Sequence, residues 1–322
     1  MTPDFTPSVP IPDRARVARR NERNTMKTRS ALTLTALGAA TLLALTGCAA
    51  PEAEVLENGD QKDLTIAVFN GWDEGVAASE LWKAILDEKG YNVTLEYADV
   101  APVYTGLTTD DYDVVLDTWL PITHASYIEK YGDDLVDLGA WNTEAKLTIA
   151  VNEDAPIDSL EELADNAELF GNRLVGIEPG AGLTEVTTDA VIPGYKLEGM
   201  EYLTSSTPAM LSELKAATKA GENIAVTLWQ PHWAYDAFPV KDLADPQGLL
   251  GAAEGVHSFG GKSFEANFPT LSGWLKDFTL DSKQLASLEN AMFNSGGSGS
   301  DYAPAVADWI SANQDYVDSL TK

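Results

Sequence analysis

From residue 64 onward, short apolar runs alternate with amphipathic stretches, and the alternation comes round twice. Leu64 to Phe69 predicts a first strand. The turn Asn70-Gly71-Trp72-Asp73-Glu74-Gly75 follows, and then Val76 to Glu88 sets Leu81, Ala84 and Ile85 on one face of a helix that Gly90 stops. Asn92 to Tyr97 reads as a second strand, Val103 to Leu107 as a short helix and Val114 to Leu116 as a third strand, an order that argues for a parallel sheet. The second round has a strand at Leu147 to Val151 and a capping-box-like helix start at Asp158-Ser159-Leu160-Glu161. A strand at Leu174 to Ile177 then runs into Glu178-Pro179-Gly180-Ala181-Gly182, where a helix should begin. Tyr202-Leu203, Pro208 to Ala220 and Ile224 to Leu228 read as strand, helix and strand. Helical patterns near Ala266 to Phe278, Ser282 to Phe293 and Pro304 to Ser319 close the chain.

Two α/β units of similar size, with no long linker between them, predict an α/β protein of two lobes facing a cleft. The expected division gives residues 64–150 plus 229–322 to the first lobe and 151–228 to the second. The crossover points are expected at the polar turn Asn152 to Pro156 and around Ala225 to Leu228.

The first sixty residues follow a different pattern. Residues 1–25 are polar and arginine-rich and precede an internal Met26, which reads as the true start. Lys27 and Arg29 form a basic region, Ala31 to Leu45 an apolar run, and Leu45-Thr46-Gly47-Cys48 closes it, so that 26–47 reads as a secretory signal. The run is shorter than the roughly 20 residues of a spanning helix. The Leu-x-Gly-Cys ending resembles the lipobox of bacterial lipoproteins, which makes Cys48, the only cysteine, the expected lipid attachment site. Residues 48–63 are then expected to be a polar tether between anchor and fold.

Charge narrows the partners more than the ligand. The chain holds 21 Lys+Arg and 50 Asp+Glu; residues 1–47 carry seven and three of these, leaving 14 and 47 and a net charge of −33. Such a surface repels nucleic acid and favours a soluble monomer. The acids are spread along the chain and form no acidic tail.

The candidate chemistry lies at strand ends. Trp72, Trp119 and Trp229 each stand just behind a predicted strand, in turns that also hold glycine or proline. One such tryptophan is usually a core residue; three are what an indole-lined pocket requires. A trimethylammonium group has no N–H to donate, so ring faces recognise it where hydrogen bonds cannot, at ~0.5 to 2 kcal/mol per face. The Gly180-Ala181-Gly182-Leu183 turn offers free backbone N–H groups and the positive end of a helix, a seat for a small carboxylate. His124 could donate to the same carboxylate, while His232, between Gln230-Pro231 and Trp233, is expected to position the Trp229 turn. No nucleophile elbow, zinc-binding H-E-x-x-H, C-x-x-C or lysine-bearing phosphate loop is present, and three scattered histidines have no metal-site spacing, so neither metal nor cofactor is expected.

Four motifs in order, Gly71-Trp72-Asp73-Glu74, Trp119-Leu120-Pro121-x-Thr123-His124, Gly176-Ile177-x-Pro179-Gly180-Ala181-Gly182 and Trp229-x-Pro231-His232-Trp233, resemble those of the substrate-binding proteins of glycine betaine ABC importers, the OpuAC type. The resemblance runs over about residues 64 to 280. It implies a two-lobed fold like that of the type II periplasmic binding proteins, closing on a betaine. The cation would sit in a prism of Trp72, Trp119 and Trp229, with Trp82 and Trp233 as neighbours that could take a place in it. The carboxylate would be held by the backbone N–H groups of Gly182 and Leu183 and by the His124 side chain. It further implies an extracytoplasmic receptor, lipid-anchored at the cell membrane, that serves an ABC permease and performs no chemistry. The rival ligands on the same fold are choline, carnitine, proline betaine and ectoine; the rival from another class is a lipid-anchored enzyme acting on a quaternary amine.

Overall fold

The computed structural model describes residues 53–294 and 301–322; the 1–25 extension, the 26–47 signal and Cys48 lie outside them. The first half runs β1 (Asp63–Phe69), α1 (Asp73–Glu88), β2 (Asn92–Ala98), α2 (Val100–Thr108), β3 (Val114–Leu120), α3 (Ala125–Tyr131) and β4 (Leu135–Asn152). β1 pairs in parallel with β2 from Asp63↔Asn92 to Phe69↔Ala98, and β3 pairs in parallel on its other side. Helix α1 buries Val76, Leu81, Trp82, Ile85 and Leu86. A strand covered on both faces reads as a continuous apolar run, which is why Leu64 to Phe69 shows no alternation.

The second half runs α4 (Leu160–Leu163), β5 (Arg173–Val175), α5 (Gly182–Val186), α6 (Ile192–Gly194), β6 (Glu201–Leu203), α7 (Thr207–Ala220) and β7 (Ala225–Gln230). It is followed by α8 (Ala234–Ala237), β8 (Val240–Asp242), β9 (Glu254–Gly261) and the helices α9 (Phe264–Asn267), α10 (Pro269–Asp277), α11 (Ser282–Glu289), α12 (Ala303–Ala312) and α13 (Gln314–Ser319). The strand order is β2-β1-β3-β9-β4-β7-β5-β6, with β8 on β4.

Three features depart from the sequence reading. First, the β1–β3 sheet is mixed, because β9 inserts antiparallel between β3 and β4. Its sequence EGVHSFGG has three glycines and no strong β signal; pairing on both edges makes it a strand. Second, β4 is 18 residues long and serves both sheets. Its Leu135–Ala145 half pairs with β9 and its Lys146–Val151 half with β7. The change of sheet therefore falls between Ala145 and Lys146, upstream of the expected Asn152 turn, because the chain passes over while still extended and gives no turn signal. Val240–Asp242 also pairs with β4 in the second sheet, and Ala244 bridges to Ser159. Third, the described part of the expected 48–63 tether is a fixed hook. Asp60 is fully buried. It accepts bonds from Tyr91 Oη (2.6 Å), Thr270 N (2.8 Å) and Leu271 N (3.0 Å), the last two being orphan donors at the first turn of α10. A polar segment reads as a tether until its acceptors are matched to donors far along the chain.

Element ends moved by a few residues. The α4 cap is Ser159 with Glu162 reaching back, one position beyond the expected pair. The helix expected over Ala266 to Phe278 breaks at Phe268-Pro269 into α9 and α10.

Candidate functional site

The second-last residue of β3 and the second-last residue of β7 are both tryptophan, followed in each case by one residue and a proline whose peptide bond is cis. Trp119 and Trp229 thus lie within their strands, where the sequence had them just outside. The pairings Trp119↔Val256 and Leu147↔Trp229 carry each ladder that far. Trp72 sits in the turn before α1, at its N-cap position. The three indoles line one cavity, together with Glu74, Thr123, His124, Ala181 and Leu183. All three are buried, at 3 to 5% exposure.

Each indole N–H is tied to a carboxylate. Trp119 Nε1 donates to Asp117 Oδ1 at 2.8 Å, Trp229 Nε1 to Glu74 Oε2 at 2.9 Å, and Trp72 Nε1 to Glu178 Oε2 at 3.3 Å. A buried indole N–H needs such a partner, and having it fixes the ring plane. Trp82 and Trp233 stand elsewhere. Trp82 is fully buried edge-on to Phe278, and Trp233 donates to Asp73 and lies against Phe238 and Phe293.

His124 is on the cavity wall, stacked on Trp72 with ring centroids 5.5 Å apart and 9° between planes. Its Nδ1 accepts the backbone N–H of Trp119 at 2.8 Å, so the ring proton is on Nε2. That Nε2 is buried and has no hydrogen-bond partner among the described residues. Complete burial pushes the imidazole pKa down to about 3, which leaves a neutral ring with one free donor. His232 is its counterpart behind Trp229: Nδ1 accepts from Ala234 N at 3.0 Å, and the ring meets Trp229 edge-on at 4.7 Å. Burial pushes His232 down to about 3 as well.

Gly182 and Leu183 open α5, where backbone N–H groups precede the first intrahelical acceptor. Leu183 and Ala181 line the cavity and Gly182 lies between them. An added Cβ at Gly182 would stand 1.8 Å from Thr123 O, so only glycine lets the α5 turn of the second lobe close on the Pro121–Thr123 turn of the first. Thr123 is itself held from β9, where Glu254 Oε2 accepts Ile122 N at 2.6 Å and Thr123 N at 2.9 Å. Two more bonds join the same faces: Tyr127 Oη donates to Gly180 O at 2.9 Å and Ser126 Oγ to Glu185 Oε2 at 3.2 Å. The lobes are shut on the cavity.

Glu74, Glu178 and Glu254 were not singled out from sequence. Glu74 lines the cavity at 2% exposure. Burial pushes its carboxyl up to about 8, and neighbouring Asp73 adds to the rise. Asp117, 1% exposed, is raised well above the carboxylate range by burial and then by Glu74. Asp73 is pushed up to about 7 by burial, and Glu289 is raised by burial and by Glu74. Among the described residues no lysine or arginine forms an ion pair with any of these four acids. Nor do the described residues contain a group of three or more His, Cys, Asp or Glu suited to a metal ion.

This geometry suits a small cation among rings with a small anion beside it. The lactococcal OpuAC structure, in its closed-liganded conformation with glycine betaine, superposes with a TM-score of 0.75 at 27% identity, covering 81% of this chain and 100% of that one. The Borrelia burgdorferi glycine/betaine/L-proline-binding protein ProX gives the same score and identity, covering 81% and 97%. The glycine betaine/carnitine transport binding protein GbuC of Listeria monocytogenes is 32% identical over 169 residues, 52% of this chain and 54% of the relative, so that match spans about half of GbuC. The family model for the substrate binding domain of the ABC-type glycine betaine transport system matches residues 62–312. With its mixed α/β sheets and its fold like that of the periplasmic binding proteins, the chain belongs to the OpuAC family of ABC-transporter substrate-binding domains.

Proposed function

We propose that the protein captures glycine betaine outside the cytoplasm and hands it to a membrane permease, acting as a monomer anchored through a lipid on Cys48. The observation that carries the ligand is the pairing of three indole walls with two kinds of unused donor. Trp72, Trp119 and Trp229 have their N–H edges tied to carboxylates, so their faces remain for a trimethylammonium group. The free His124 Nε2–H and the first N–H groups of α5 suit the carboxylate. Family membership makes the chain a transport component, and no step of chemistry is assigned to it. On this reading the two lobes divide where β4 changes sheet and where the chain returns between β8 and β9.

Titration calorimetry of the purified protein with glycine betaine at pH 8 tests the reading; the expected result is one site, and absence of heat at millimolar ligand sinks it. Choline, which has no carboxylate, should bind more weakly because it leaves His124 and α5 unused. Equal affinity for the two would remove the carboxylate seat.

A further inference from the structure

The Trp72 wall of the cavity belongs to the first lobe, yet the group that holds its N–H edge belongs to the second. We propose that Glu178 is a positioning residue of the cage, fixing the Trp72 ring only when the lobes are shut and so linking closure to retention of the ligand. This rests on the ligand reading above and adds to it a residue that never touches the ligand.

Glu178 follows β5 and is anchored on its own side first. Its Oε1 accepts Thr207 N at 2.7 Å and its Oε2 accepts Thr207 Oγ1 at 2.9 Å. Thr207 opens the 14-residue helix α7, whose first N–H groups lack intrahelical acceptors and favour a carboxylate. From there Oε2 reaches Trp72 Nε1. The backbone beneath Trp72 is docked on the same helix end. Gly71 has φ +77°, and a Cβ there would stand 3.0 Å from Pro208 Cδ and 3.3 Å from Thr207 Cβ.

Inside its own lobe, Trp72 meets the edge of Phe69 at 4.8 Å and stacks on His124. Neither contact supplies an acceptor for the indole N–H, whose hydrogen bond goes to Glu178. Trp119 differs, since its N–H acceptor Asp117 lies two residues away on the same strand. Trp229 also bonds across, to Glu74, but from the strand next to β4, where the chain passes between sheets. Glu178 therefore holds the one wall that neither its own strand nor the passage between lobes secures. Opening the lobes parts Trp72 from Glu178; closing them sets the ring.

The test is a double-mutant cycle read by stopped-flow tryptophan fluorescence with glycine betaine. Glu178→Ala should raise the dissociation rate about tenfold, the scale of one hydrogen bond to a charged group, and leave the association rate within about twofold. Glu178→Gln, which keeps an acceptor oxygen, should fall between. In a Trp72→Phe background, which has no indole N–H, Glu178→Ala should change the dissociation rate by less than about twofold. A merely structural role at the α7 cap predicts the same tenfold change in both backgrounds, and that additive result overturns the proposal. An unchanged dissociation rate in the single variant overturns it too. Failure of the unaltered protein to bind glycine betaine strikes the ligand reading instead, whereas binding with an additive cycle strikes this inference alone.

Discussion

Gly182→Ala isolates closure from folding. Gly182 lies outside the left-handed region, so alanine carries no backbone penalty there, and a new side chain at the start of a helix is neutral or mildly favourable. The added Cβ would stand 1.8 Å from Thr123 O and 2.6 Å from Thr123 C, whereas Cβ atoms in proteins essentially never come within 3.0 Å of a neighbour. Neither side can yield cheaply. Thr123 is pinned by two backbone bonds to the Glu254 carboxylate, and Gly182 is followed by helix. The relief is to part the lobes. Because the clash exists only in the shut state, its cost appears in binding, at the ~1–3 kcal/mol typical of overpacking, or about 5- to 150-fold in Kd. Calorimetry with glycine betaine should show that loss, while urea unfolding of the empty protein should match the unaltered chain within about 0.5 kcal/mol. An unchanged Kd, or a loss of stability as large as the loss of affinity, would refute the wedge.

Trp119→Ala should weaken glycine betaine binding by about 1 to 2 kcal/mol, one lost cation–π face; unchanged affinity by calorimetry removes Trp119 from the cage. Glu74 predicts a pH dependence, because its folded pKa is raised to about 8, so below pH 8 the empty cavity holds a proton that an entering cation should expel. Affinity should be highest and flat above pH 8 and fall by up to about tenfold per unit as pH drops below it; Glu74→Gln should flatten that slope. Calorimetry in two buffers of different ionisation heat should count close to one proton released at pH 7, and a count of zero removes Glu74 from the linkage. Asp60→Ala should cost about 3 kcal/mol or more in urea unfolding, since it strands the Tyr91 hydroxyl and the N–H groups of Thr270 and Leu271. A change below about 1 kcal/mol would show that the hook is dispensable.

The sequence was legible where its signals are local. The apolar runs at 64–69 and 224–228 and the proline-started helix at 208–220 became β1, β7 and α7 within one or two residues. Trp119 and Trp229 could be noticed because each combines an apolar run with a proline two residues on. What escaped depends on partners far away. β9 is a strand by virtue of β3 and β4, and the first half of β4 by virtue of β9. Glu254 meets Thr123 across 131 residues, and Glu74 meets Trp229 across 155. In a chain with 50 acidic residues, nothing local separates the three that are half or fully buried at the cavity from those on the surface. One signal was available: three buried indoles need three acceptors, and an acidic chain supplies carboxylates.

Those carboxylates bear on selectivity through the acceptors they have already committed. An ammonium ion with N–H groups needs acceptors when it leaves water, and leaving them unpaired costs on the order of 1–3 kcal/mol each. Of the acids around the cage, only Glu74 lines the cavity, and its Oε2 already accepts the Trp229 N–H. Asp117 Oδ1 accepts from Trp119, and its Oδ2, which has no hydrogen-bond partner among the described residues, lies buried against the Gly75 backbone, where a Cβ would stand 2.4 Å from it. Glu178 serves Trp72 and the start of α7. A primary ammonium, with three N–H groups to satisfy, would therefore find ring faces and the remaining acceptor capacity of one carboxyl group, while a quaternary one has no N–H to satisfy. Tying indole edges to acids orients the walls and, by the same bonds, takes up part of the acceptor capacity that would favour less methylated amines.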